Sequence, residues 1–141
     1  MDVRLERETA TALKIAKWLE ARDEVAQVLC PVLPGSAGHE LYERDFTGGC
    51  GLFSFVLKDR DDAARVRLID ALELFGIGYS WGGFESLALP FDVPGVRSVM
   101  NWPKKDWGIG DSCGIRLSIG LEDAGDLIAD LDQAFVVMDK G

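Results

Sequence analysis

A chain of 141 residues, 48% hydrophobic and 28% charged, has the composition of one globular domain and the length to bury about 68–70% of its unfolded surface without a metal or disulfide staple. Its 24 acidic residues against 15 basic ones give a net charge of −9, which argues against nucleic-acid binding driven by phosphate neutralisation but leaves room for a small anion in a local cationic pocket. Three widely spaced cysteines and one histidine form neither a disulfide framework nor a zinc-ligand pattern, and they fit a reducing, cytoplasmic setting.

The N-terminal segment alternates charge with apolar residues, so neither a signal peptide nor a membrane span is expected. From Val3 to about Arg22, Leu5, Ala12, Leu13, Ala16 and Leu19 recur at helical spacing. Glu24 to Leu29 reads as a strand ended by Pro31 and the Pro34-Gly35 turn, and Leu52 to Leu57 as a second strand. A helix follows, with Asp59, Asp61 and Asp62 at its start, an apolar stripe of Ala64, Leu68, Ala71, Leu72 and Phe75, and Gly76 as its stop. Ile77 to Ser80 is a short strand candidate, and Pro90 to Gly114 reads as loop with one helical turn.

The alternation of Ile115, Leu117 and Ile119 with Arg116, Ser118 and Gly120 is a strand of period two. A last helix is capped by Glu122 and Asp123 and turns Leu127, Ile128, Leu131 and Phe135 inward. Short strands with segregated helices predict an α+β fold: a small mixed or antiparallel sheet with helices packed on one face.

Three stretches carry chemistry-bearing side chains. His39, Glu40, Glu43, Arg44 and Asp45 resemble an acid–base cluster, but a catalytic histidine needs an orienting partner and a nucleophile placed in space. The cluster is therefore expected to be structural or surface. Gly108, Gly110 and Gly114 imitate a dinucleotide fingerprint, yet a strand follows them where a helix N-terminus is required. Cys113 in the same run reads as a small buried hydrophobe. Arg116 stands out, because a guanidinium on a rigid strand can take a carboxylate bidentately. Ser80 is a candidate to add a hydroxyl or NH beside it.

The segments GHELYERDFTGGCGLFSFVL, FGIGYSWGGFESL and IRLSIGLED, in this order, resemble the C-terminal third of the cystathionine β-lyases. These belong to the pyridoxal-phosphate-dependent Cys/Met-metabolism enzymes of fold type I. The γ-lyases and synthases of that family carry leucine where this chain has Trp81, so Tyr79-Ser80-Trp81 resembles the bacterial β-lyase branch. The resemblance implies that residues 1–141 are a single small C-terminal domain, with residues 1–23 a connecting helix and the large cofactor-binding domain absent. It implies Arg116 as the partner of the substrate α-carboxylate, Ser80 as its helper, and Tyr79 and Trp81 as pocket walls, with Glu85 and Ser86 shaping the turn.

The family's reaction is a β-elimination from cystathionine or a cysteine-like amino acid, giving a thiol, pyruvate and ammonia with pyridoxal phosphate as cofactor. None of Lys14, Lys17, Lys58, Lys104, Lys105 and Lys140 has the sequence context of the family's cofactor lysine. The expectation is a domain inactive alone that needs the missing cofactor domain and forms homo-oligomers. A stand-alone amino-acid-binding or regulatory module of the same fold is the other reading.

Overall fold

The computed structural model describes residues 1–92 and 113–140. Helix α1 (Asp2–Glu20) leads into strand β1 (Val25–Leu29), helix α2 (His39–Asp45) and strand β2 (Leu52–Leu57). Helix α3 (Asp62–Asp70) precedes strands β3 (Gly76–Ile77), β4 (Leu87–Asp92) and β5 (Cys113–Ser118), and helix α4 (Ala124–Asp139) closes the order. The sheet runs β1-β2-β5-β4-β3, antiparallel throughout except for the parallel β3–β4 pair. It is the expected α+β architecture, with a mixed sheet and helices on one face.

The period-two pattern of β2 and β5 explains which side the helices take. Phe53 pairs with Leu117 and Phe55 with Ile115, and all four are buried in one cluster with Ile15 and Leu19 of α1, Leu68 of α3, and Leu131 and Phe135 of α4. Alternate residues of a strand point to opposite faces, so Ser54 and Arg116, which also pair, lie on the other side. At the α1–α4 contact Trp18 meets the Phe135 ring edge-on at 6.1 Å. The Arg22 guanidinium lies 4.7 Å from the Trp18 ring and 4.4 Å from the Phe135 ring while pairing with Asp132 and Glu24. That arrangement joins cation–π attraction to two ion pairs.

Several expected boundaries move, each for a physical reason. Helix α3 starts where Asp61 accepts the Ala64 NH at 2.8 Å, but it ends at Asp70 rather than before Gly76. The next turn is taken over by buried Asp130 of α4, whose carboxylate accepts the NH groups of Glu73 and Leu74 at 2.9 and 2.8 Å. Those amides are thus bound by a neighbouring helix rather than by their own. Of the expected stripe, Ala64, Leu68 and Phe75 are buried while Ala71 and Leu72 pack partly buried against the core.

The strand expected over Ile77–Ser80 contracts to Gly76–Ile77, which leaves Ser80 in a loop. Strand β4 occupies Leu87–Asp92, so Pro90 is in a strand instead of opening a loop. Its parallel neighbour stops at the Ile77–Ala88 pair, and a proline is tolerated where its strand has become an edge. Gly114 likewise belongs to β5. The remainder of the expected 90–114 loop, with Gly108, Gly110, Lys104 and Lys105, lies outside the described residues. Helix α2 was not expected. None of its residues is buried, so it has no apolar periodicity to read.

Candidate functional site

Arg116 sits in the middle of β5, flanked in register by Ser54 of β2 and Leu89 of β4. Two paired neighbours hold its backbone, and its side chain leaves the sheet opposite the helices. The guanidinium Nη2 donates to the carbonyl of Gly78 at 3.2 Å and to that of Ser80 at 3.1 Å. Its Nε is buried and has no hydrogen-bond partner among the described residues. The structure therefore brings Arg116 and Ser80 together, but Ser80 meets the arginine through its backbone carbonyl, where the sequence suggested a hydroxyl or NH.

The loop from Gly78 to Ser86 joins β3 to β4. Gly82 adopts φ +68° there, a left-handed conformation that a side chain disfavours. Its NH donates to the Ser118 hydroxyl at 3.4 Å and its carbonyl accepts from Arg4 of α1 at 2.9 Å. Tyr79 is 80% exposed, Trp81 65% and Phe84 71%. These side chains form an exposed apolar rim on the loop whose Gly78 and Ser80 carbonyls meet Arg116.

Two features of this region were not legible in the sequence. Glu122, expected to cap α4, instead accepts the Ser86 NH and hydroxyl, each at 2.8 Å, and Asp123 alone caps the helix through the Gly125 NH at 2.7 Å. Glu8 of α1 is almost fully buried, with Oε1 lacking a hydrogen-bond partner among the described residues and the Arg4 Nε 3.8 Å away. It lines a cavity of about 700 Å³ together with Arg4, Cys50, Leu52, Trp81 and Gly82.

The other sequence candidates stay apart from this site. His39 has Nδ1 2.8 Å from the Pro31 carbonyl and Nε2 3.4 Å from Glu43, and its ring stacks with Tyr42. These contacts belong to a surface helix. Arg44 hydrogen-bonds Asp45 and holds its carboxyl below the usual range. Burial pushes the Cys30 thiol upward, against the pull of hydrogen bonds from the Val32 and Leu33 amides. Among the described residues no three His, Cys, Asp or Glu side chains lie close enough to hold a metal ion, and no helix is long and apolar enough to cross a membrane.

Residues 1–136 match the family model of the Cys/Met metabolism PLP-dependent enzymes. The chain belongs to that family. It is 50% identical over 139 residues to a Rhizobium johnstonii protein assigned as a cystathionine β-lyase, with 96% of this chain and 33% of that protein covered. To the cystathionine β-lyase of Escherichia coli it is 45% identical over 136 residues, covering 96% of this chain and 34% of the relative. The chain thus spans about a third of the length of the curated relatives it matches.

A solved structure from Campylobacter jejuni, described as an O-acetylhomoserine (thiol)-lyase carrying N'-pyridoxyl-lysine-5'-monophosphate, superposes with a TM-score of 0.76. That match is 33% identical and covers 96% of this chain and 29% of the other. The family's cofactor is pyridoxal phosphate, and a lysine that carries it as a Schiff base needs a desolvated pocket to lower its pKa. The lysines of the described residues, Lys14, Lys17, Lys58 and Lys140, are all exposed. They do not fit that role.

Proposed function

We propose that residues 1–141 are the C-terminal, substrate-carboxylate-binding domain of a cystathionine β-lyase-like carbon–sulfur lyase, with residues 1–23 the helix that connects it to the cofactor-binding domain. Arg116 pairs with the α-carboxylate of the amino-acid substrate, Ser80 assists at that carboxylate, and Tyr79 and Trp81 flank the substrate. The observation that carries this reading is the guanidinium itself. It is fixed on a central strand, steadied at Nη2 by two loop carbonyls, and left with a buried Nε donor that is unpaired among the described residues. An unsatisfied donor of that kind is costly, and a carboxylate is the ligand that matches its geometry and charge. Holding that carboxylate orients the substrate, and small errors of orientation cost rate steeply.

The chain by itself is inactive and holds no cofactor productively, a reading supported by the exposure of its described lysines. Its composition suits a cytoplasmic location, and the exposed rim supports homo-oligomer formation or docking of the cofactor domain. The test has two arms. Purified chain with pyridoxal phosphate and cystathionine is expected to release no pyruvate, and turnover would overturn the claim of inactivity. Titration with millimolar cystathionine, followed by the Arg116 Nε–H resonance, is expected to shift that signal in the wild type, with the accompanying perturbations of the 78–82 amides lost in Arg116→Ala. No shift would overturn the carboxylate role.

A further inference from the structure

We propose that Glu122, acting through Ser86, is a positioning residue that sets where the 78–82 loop stands relative to Arg116. The proposal rests on the reading of Arg116 and its loop given above. The downstream end of that loop is fully committed. Glu122 Oε1 accepts the Ser86 NH and Oε2 accepts the Ser86 hydroxyl, each at 2.8 Å, while the same hydroxyl oxygen accepts the Gly120 NH at 2.9 Å. The Ser86 carbonyl accepts the Gly76 NH at 3.0 Å, and the Phe84 carbonyl accepts the Leu121 NH at 2.9 Å. Ser86 is completely buried, so none of these bonds is exchanged for water without opening the loop.

The chemistry of the clamp requires a carboxylate. Two donors of Ser86 face the two oxygens of Glu122, and an amide could accept only one of them while turning its NH₂ toward the other. Position 120 admits no side chain, because a Cβ there would come 2.3 Å from the Phe84 carbonyl oxygen and 2.7 Å from Glu122 Oε2. Helix initiation does not account for Glu122, since Asp123 supplies the α4 cap.

What makes this a positioning device is continuity. One stretch of chain carries Arg116, then Ser118, which accepts from the Gly82 NH, then Gly120 and Glu122. The loop is thereby pinned at Gly78 and Ser80, at Gly82 and at Ser86 to successive points of the same strand and turn. Slackening the last pin frees the loop to slide along the others, and the carbonyls that steady the guanidinium slide with it.

Amide hydrogen exchange of the 141-residue chain tests this. Glu122→Gln is expected to speed exchange at Gly82 as well as at Ser86, Gly120 and Leu121, on the order of tenfold for a lost charge-assisted bond, with the Phe53, Phe55, Ile115 and Leu117 amides unchanged. Ser86→Ala is expected to act in the same direction and covers the case in which Glu122→Gln fails to fold. Asp123→Ala, which removes only the helix cap, serves as the control for general destabilisation and is expected to leave Gly82 at its wild-type rate. The Gly82 amide is decisive, because it makes no bond to Glu122. Faster exchange confined to Ser86 and Gly120, or equal acceleration in Asp123→Ala, overturns the proposal and leaves the carboxylate reading intact. An Arg116 Nε–H signal that ignores cystathionine in every variant instead removes the carboxylate reading and leaves Gly82 to decide whether Glu122 sets the loop.

Discussion

The helix-covered face of the sheet buries Phe53, Phe55, Ile115 and Leu117 against three helices, whereas the rim beyond β3 leaves Tyr79, Trp81 and Phe84 in solvent. The first region is held by apolar area and close packing. The second is held by about half a dozen polar ties that run from Arg4, Arg116, Ser118 and Glu122 to one loop. Packing energy is non-directional and large in sum, while hydrogen bonds contribute little net energy and fix direction. The molecule thus separates what keeps it folded from what positions Arg116 and its loop, and the two can be perturbed independently.

The largest expected effect lies on the helix-covered face. Phe55 is completely buried and its ring meets Phe135 at 6.2 Å, so Phe55→Ala should cost about 3–5 kcal/mol. A urea melt should show either a much lower midpoint or no folded baseline. A shift under about 1 kcal/mol would mean that the sheet does not depend on this face as proposed. Asp130→Ala comes next, at about 2 kcal/mol, because it strips the acceptor from two loop amides in a buried setting. Its hydrogen-exchange signature should fall on Glu73 and Leu74 and spare Gly82, which separates the two carboxylate-held loops.

What could be read from the sequence follows the same division. Helix α4 declares itself because Leu127, Leu131 and Phe135 recur at spacings of four and all are fully buried. Strand β5 declares itself because it has one apolar face. Strand β4 does not, since Leu87, Ala88 and Leu89 are buried in succession, and a run buried on both faces lacks the alternation that marks a strand. The site was half legible. Arg116 is conspicuous as a charge within an apolar strand, but the pairing of Glu122 with Ser86 spans 36 positions and nothing local announces it. An acidic residue just before a helix looks like a cap, and only the fold shows that its neighbour has taken that task. Ser80 suggests a hydroxyl or NH donor in the sequence, while its observed contact is through a carbonyl that every residue possesses.

Glu8 sharpens the comparison from the opposite direction. Unlike Glu122 and Asp130, it is buried without a hydrogen bond at Oε1 among the described residues, where its nearest cation is a half-exposed Arg4 at 3.8 Å. Replacing a poorly satisfied buried charge with an apolar side chain of similar size is often neutral or stabilising. Glu8→Leu should therefore raise stability by about 1 kcal/mol, read as a higher urea midpoint at an unchanged slope. A loss of stability would show that the carboxylate has a partner in solution.

Cys30 carries a smaller, pH-dependent effect. Burial raises its folded-state pKa, so below the ordinary thiol value of about 8.5 both folded and unfolded states are neutral and its contribution is fully present. As pH climbs past that value the unfolded chain ionises first, and stability falls until the folded pKa is reached. Stability measured between neutral and strongly alkaline pH should therefore decline less steeply in Cys30→Ala than in the wild type, whatever the absolute cost of the small cavity. Equal slopes would remove Cys30 from the balance.

The smallest effect on folding, and the most informative about the rim, belongs to Trp81. Its side chain is 65% exposed, so Trp81→Ser should leave the urea midpoint within about 0.5 kcal/mol of wild type. Clustered exposed aromatics nevertheless promote association, and Tyr79, Trp81 and Phe84 lie within six positions of one another. Wild-type chain should therefore sediment with a mass that grows with concentration, and Trp81→Ser should shift that growth to higher concentration. If folding and association fell together in this variant, the rim would be part of the core it borders, and the division between the packed face and the aimed loop would be lost.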